Sequence, residues 1–169
     1  MKNIYLVGFM GTGKTAVAKE LSKKKKWRFA DLDELIELKE KRSIADIFAE
    51  EGEPYFRRIE HKALIEISKE KKFVVACGGG IVINEANIEI MKHTGIMVCL
   101  TANTQVILNR TLAYAHRPLL NVPDPAKQIE LLLKLRAHYY ARADETIDTS
   151  KLSVKEAAGK ILKLTSKKK

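Results

Sequence analysis

The chain has 169 residues, enough for one domain with a real core, and its 46% hydrophobic and 31% charged side chains are those of a soluble globular protein. No apolar stretch approaches the ~20 residues of a membrane span, so neither a span nor a signal peptide is expected, and the expected location is the cytoplasm. The net charge of +10 is local: residues 19–28 carry six basic side chains against one acidic, and residues 150–169 seven against one, which holds the whole excess. No aromatic residues interleave with either cluster as a stacking platform requires, although Trp27 stands beside one, so solvated surface is expected rather than a nucleic-acid footprint. The two cysteines, Cys77 and Cys99, have no metal or disulfide spacing and read as small core residues.

In chain order, the first element is a buried strand over residues 4–7, Ile4-Tyr5-Leu6-Val7, which passes into Gly8-Phe9-Met10-Gly11-Thr12-Gly13-Lys14-Thr15. That octapeptide spells Gly-x-x-x-x-Gly-Lys-Thr between a strand and the helix-forming run 16–21, the setting in which glycines let backbone N–H groups curl around phosphate oxygens. The helix that follows points its positive end at the same anion. Gly11, Thr12, Gly13, Lys14, Thr15 and Ala16 are therefore candidate contacts of a nucleoside triphosphate, with Lys14 on the β/γ-phosphates and the Thr15 hydroxyl on Mg²⁺. Lys23-Lys24-Lys25-Lys26 closes the helix, where cations suit its dipole.

A second short strand at 29–30 precedes Asp31-Leu32-Asp33 and a helix bearing Leu35, Ile36 and Leu38. Either carboxylate could be a simple N-cap; near a phosphate loop, one could instead support the Mg²⁺ shell while the other orients or deprotonates an attacking hydroxyl. Ser43 with Asp46 starts the next helix, Gly52 stops it, and Pro54 starts another with the apolar stripe Phe56, Ile59, Ala63 and Ile67. Arg57 flanks that stripe with Glu60 three residues on, an ordinary intrahelical ion pair by spacing alone. Apolar runs at 73–77 and 96–100 do not alternate, as expected for parallel strands covered on both faces. Between them lie Gly78-Gly79-Gly80, either a loose turn or backbone donors laid bare for a substrate, then a helix from Asn84 to the stop at Gly95.

Beyond the fourth strand, residues 116–125 contain three prolines in a polar stretch and read as a mobile loop in which Arg117 is a surface charge or a lid residue closing on the γ-phosphate. Arg136 falls on the helical stripe Ile129, Leu132, Leu133, Tyr140 and Ala143, so its guanidinium must snorkel outward or meet a buried anion. A weak strand at 146–148 and a helix from Ser153 end the chain. The repeated strand and helix alternation gives an α/β fold with a parallel sheet, whose ligands gather at the strand C-terminal ends.

Gly8 to Thr15, Asp31-Leu32-Asp33, Ile47-Phe48 with Gly52-Glu53 and Phe56-Arg57, Gly78-Gly79-Gly80, Arg117-Pro118-Leu119-Leu120, and Arg136 with Tyr139 together closely resemble shikimate kinase over nearly the whole chain. The resemblance implies a single three-layer α/β/α P-loop kinase domain over 1–169, of the nucleoside-monophosphate-kinase-like type, with five parallel strands in the order 2-3-1-4-5. About 33–61 would be substrate-binding helices and about 112–125 the lid. It implies transfer of the ATP γ-phosphate to the 3-hydroxyl of shikimate, on the way to chorismate and aromatic amino acids.

Residue by residue, the resemblance makes Lys14 and Arg117 phosphate clamps, Thr15 the direct Mg²⁺ ligand with Asp31 helping through water, and Asp33 the base or orienter that holds the ring hydroxyls. Arg57 and Arg136 would grip the shikimate carboxylate, Glu60 would position Arg57, Gly78, Gly79 and Gly80 would line the acceptor, Phe48 would supply an apolar wall, and Arg110 would stack on adenine. Around 149–153 the arginine and proline that many family members place in the adenine loop are absent, which leaves backbone contacts. The partner expected is shikimate alone, bound by a monomer without nucleic acid or membrane. A related kinase of gluconate or of nucleoside monophosphates, and a basic NTP-dependent nucleic-acid-binding module, are the competing readings. The paired arginines and the triple glycine favour a carboxylated polyol over a nucleotide.

Overall fold

The computed structural model describes residues 2–113 and 120–167. Five strands, β1 (Asn3–Val7), β2 (Arg28–Asp31), β3 (Phe73–Ala76), β4 (Gly95–Thr101) and β5 (Glu145–Asp148), form one sheet in the order β2-β3-β1-β4-β5. Every neighbouring pair is parallel, with Ile4 opposite Val74 and Ile96, and Cys99 opposite Thr146. The fold expected from the sequence is thus observed, including the weak last strand. Its pairing with β4 accounts for that strand's assignment, since Ile147 alone of its four residues is buried.

Alternate residues of the strands feed two apolar layers, as the period-2 pleat requires. Ile4, Leu6, Val98 and Leu100 face α1 (Lys14–Lys25) and α7 (Val154–Lys167), whose Val17, Leu21, Ala158 and Ile161 fill the first layer. Tyr5, Val7, Met97 and Cys99 face the other layer, built from α2 (Leu32–Glu40), α3 (Ile44–Ser68), α4 (Glu85–Thr94), α5 (Thr104–Leu112) and α6 (Pro125–Tyr140). Helices on both faces explain why β1 and β4 carry continuous apolar runs. Cys77 and Cys99 are both buried and unbridged, and burial pushes the Cys99 thiol up to about 11.

The expected helix punctuation is present with one refinement. Ser43 caps α3 through the Asp46 N–H, and Ser153 and Glu156 exchange reciprocal capping bonds at the start of α7. Gly52 does not end its helix for good: at φ 81° and ψ 170° it breaks the helical path, and Pro54 lets the chain resume within the same element. Gly95 caps α4 and begins β4. The lysines that end α1 lie with the C-terminal end of α7 by the strand starts near Lys2 and Trp27, while Lys151 and Lys155 stand at the opposite edge, just after β5. Among the described residues no helix is long and apolar enough to cross a membrane. Of the lid expected over about 112–125, residues 114–119, Arg117 among them, lie outside the described residues.

Candidate active site

Parallel strands deliver their following loops to one edge, so the ends of β1, β2 and β3 meet there around a cavity of about 530 Å³. The first wall is the loop 8–13. Gly13, the N-cap of α1, holds φ 93° and ψ 17°, a left-handed conformation that favours glycine, and thereby presents the first turn of α1 to the cavity. Lys14 Nζ donates to the Phe9 carbonyl at 2.9 Å, and Thr12 Oγ1 donates to the same oxygen at 2.7 Å. Gly11, Gly13, Lys14, Thr15 and Ala16 line the cavity, whereas the Thr12 side chain is turned into the loop.

Asp31 is the N-cap and also meets the hydroxyl of the phosphate loop. Its Oδ1 caps α2 by accepting from the N–H groups of Asp33 (3.0 Å) and Glu34 (3.4 Å), while Oδ2 accepts from Thr15 Oγ1 at 2.7 Å. A hydroxyl and a carboxylate held together beside a helix N-terminus suit Mg²⁺, which takes one or two protein ligands and completes its shell with phosphate oxygens and water. Among the described residues no cluster of three His, Cys, Asp or Glu side chains forms a protein-only metal cage.

The acceptor side is organised by the three glycines after β3. A Cβ on Gly78 would lie 2.7 Å from Glu60 Oε1 and 3.2 Å from Asp33 Oδ1. One on Gly79 would lie 3.7 Å from Arg136 Nη1, and one on Gly80 would lie 2.4 Å from Arg57 Nη2. The space of the Gly78 side chain is therefore taken by Glu60, with Asp33 close by, and that of Gly80 by Arg57, whereas Arg136 meets the Gly79 position at ordinary contact distance. Gly78 and Gly79 line the cavity with Asp31 and Asp33; Gly80, Arg57, Glu60 and Arg136 adjoin it through the glycine segment.

The two arginines are held differently. Arg57 donates to Glu60 Oε2 at 2.8 Å and to Glu53 Oε1 at 3.1 Å, and although burial opposes its charge, these carboxylates keep its pKa above the ordinary value. Glu60 is 1% exposed, and its Oε1 has no hydrogen-bond donor; burial pushes its carboxyl up to about 7 against the pull of Arg57. Arg136 is also buried, at 6% exposure, with the Phe9 ring centroid 5.8 Å from its guanidinium. No carboxylate among the described residues lies within ion-pair distance of it. A buried cation without a counter-ion is a receptor for an anion.

The remaining expectations divide. Arg110 lines the cavity and is pinned in its plane, donating to the Gly11 carbonyl (3.1 Å) and to Thr149 Oγ1 and O (3.2 and 3.0 Å), which leaves its faces for stacking. Phe48, like Arg57 and Arg136, is outside the lining of that cavity, and its ring packs against Phe56 at 4.8 Å. Three contacts escaped the sequence reading. Glu53 holds Arg57 from the helix turn before it, Thr149 joins the loop after β5 to Thr12, and Tyr140 donates to the Gly79 carbonyl at 2.6 Å. Tyr139, the tyrosine matched by the motif, instead lies against His138.

Comparison with known proteins agrees with this geometry. The family model described as Shikimate kinase matches residues 10–166. A shikimate kinase of Thermoanaerobacter pseudethanolicus is 42% identical over 163 residues, 96% of this chain and 95% of that protein. One of Thermodesulfovibrio yellowstonii is 44% identical over 96% of this chain and 94% of its own. The solved structure of shikimate kinase from Acinetobacter baumannii in complex with shikimate superposes with a TM-score of 0.96 at 39% identity, covering all of this chain and 95% of that one.

Proposed function

The chain belongs to the shikimate kinase family, and on that premise we propose how its residues share the transfer of a phosphoryl group to shikimate. The activity is that of an ATP-dependent kinase acting on a shikimate hydroxyl, with Mg²⁺. The hydroxyl is the 3-hydroxyl, and the product is shikimate 3-phosphate, in chorismate and aromatic amino acid biosynthesis. The observation that carries the division of roles is the convergence of a phosphate loop, a Thr15–Asp31 pair and a buried Arg136 with no carboxylate in ion-pair distance among the described residues.

On the donor side, the N–H groups of 11–16 and the Lys14 ammonium hold the β- and γ-phosphates, and Arg110 offers a face to adenine. Thr15 binds Mg²⁺ directly and Asp31 supports its hydration shell; when bound, the ion neutralises charge on the phosphates. Arg117 closes onto the γ-phosphate as part of a lid over about 112–125. On the acceptor side, contributed largely by 33–61, Arg57 and Arg136 grip the shikimate carboxylate, two planar forks against one planar anion. Glu60 positions Arg57, the backbone of Gly78 to Gly80 lies along the ring, and Phe48 supplies an apolar wall.

Asp33 orients the acceptor hydroxyl and takes its proton. The hydroxyl oxygen then attacks the γ-phosphorus in line, the bond to the β,γ-bridging oxygen breaks, and ADP leaves with that electron pair; no phosphoenzyme forms. The protein works as a cytoplasmic monomer with no nucleic-acid partner. ADP release from Mg·ATP with shikimate, gluconate, AMP or no acceptor in parallel tests the assignment. ADP formation dependent on shikimate alone is the expected result, and activity with another acceptor overturns it.

A further inference from the structure

We propose that Tyr140 is a positioning residue for the acceptor's carboxylate: its hydroxyl links the Gly79 carbonyl to the Arg136 guanidinium, so that the glycine segment and the cationic fork move as one unit. This rests on the reading of Arg136 as a carboxylate clamp. Tyr140 lies one helical turn after Arg136 on α6, so the two share a face, and its ring is 92% removed from solvent within the apolar layer. The hydroxyl donates to Gly79 O at 2.6 Å across 61 residues of sequence. Arg136 Nη1 lies 3.7 Å from where a Gly79 Cβ would stand, so the guanidinium shares that corner with the Tyr140 hydroxyl.

A long guanidinium with no carboxylate partner needs something else to hold its orientation. The Phe9 ring centroid lies 5.8 Å from it, and the Tyr140 hydroxyl stands one turn along the same helix. Holding the fork before the ligand arrives removes part of the ordering cost of binding. The other end of the link also matters. Because a peptide is planar and trans, anchoring the Gly79 carbonyl toward α6 sets the Gly80 N–H to point the opposite way. One oxygen atom thus orients a backbone donor and a side-chain donor together.

The test is a cycle of four proteins: wild type, Y140F, R136A and the double variant, assayed at one temperature below every unfolding midpoint. Y140F keeps the ring and removes the oxygen; the expected result is a shikimate KM raised about tenfold, with kcat and the ATP KM within about twofold of wild type. In the R136A background the same change should lower kcat/KM for shikimate by less than about twofold, because the group through which it acts is gone. A Y140F effect of full size in both backgrounds marks general loosening and overturns the proposal. So does an unchanged shikimate KM in Y140F, or a Y140F protein that does not fold. If R136A itself keeps the wild-type KM, the clamp reading falls first.

Discussion

Thr15 and Asp31 are joined by a 2.7 Å hydrogen bond from the hydroxyl to Oδ2, while Oδ1 of the same carboxylate caps α2. Two duties on two oxygens can be separated by substitution. Asp31→Asn keeps a capping oxygen and loses the charge, so its thermal midpoint should stay within about 2 °C of wild type, whereas Asp31→Ala should lose about 1 kcal/mol with the cap. Both should lower kcat/KM by tenfold or more at limiting Mg²⁺, with partial recovery as Mg²⁺ is raised. Calorimetry and an Mg²⁺ titration check this; activity in Asp31→Asn that is indifferent to Mg²⁺ would remove Asp31 from the metal site.

Arg57 and Arg136 should behave oppositely in stability although both raise the shikimate KM. Arg57→Ala strands Glu60, which is 1% exposed, and breaking such a buried pair costs about 3 kcal/mol near neutral pH. Arg136→Ala removes a buried cation that has no carboxylate partner among the described residues, so stability should change by less than about 1 kcal/mol. Urea unfolding of both variants decides it. Equal losses would mean that Arg136 is balanced by a group outside those described.

Glu60 makes the protein less stable as pH rises. Its carboxyl is raised from 4.5 to about 7, chiefly by burial, so the folded state holds the proton more tightly than the unfolded state. The associated stability is fully present below pH 4.5 and is lost as pH rises through about 7, a change of about 3 kcal/mol. Glu60→Gln abolishes that loss. The stability of the variant relative to wild type should therefore increase between pH 5 and pH 8, and a difference that is flat with pH counts against the protonated carboxyl.

Gly80→Ala tests close packing without backbone strain. Gly80 sits at φ −96° and ψ 2°, which alanine adopts, but the new Cβ would fall 2.4 Å from Arg57 Nη2. The side-chain end can yield only by leaving Glu53 or Glu60. The expected result is a shikimate KM raised about fivefold to tenfold with the ATP KM unchanged. An unaltered shikimate KM would show that Arg57 does not need that position.

The parallel sheet and the phosphate loop were legible because their signals are local. Ile4 to Val7 form a continuous apolar run, and Gly8 to Thr15 follow it without a gap. Thr15, Asp31 and Asp33 were also found from sequence, since strand ends in such a sheet share an edge. The role of Tyr140 was not legible: its helical spacing placed it on an apolar stripe, which is where its ring lies, and nothing local reports a bond to Gly79 in a loop 61 residues away. The same holds for Thr149, whose partners Thr12 and Thr101 come from other strand ends. The triple glycine was read as exposed backbone, while the structure adds that its missing side chains make room for charged ones.

The doubly bonded carbonyl of Phe9 bears on how readily the donor site can switch. It accepts from both Thr12 Oγ1 and Lys14 Nζ, so the lysine can swing to a phosphate while the threonine hydroxyl stays behind. The oxygen is never stripped of its last donor. On the proposed reading Lys14 gives up the Phe9 carbonyl for a more highly charged acceptor, and the net gain is smaller than the full strength of the new bond.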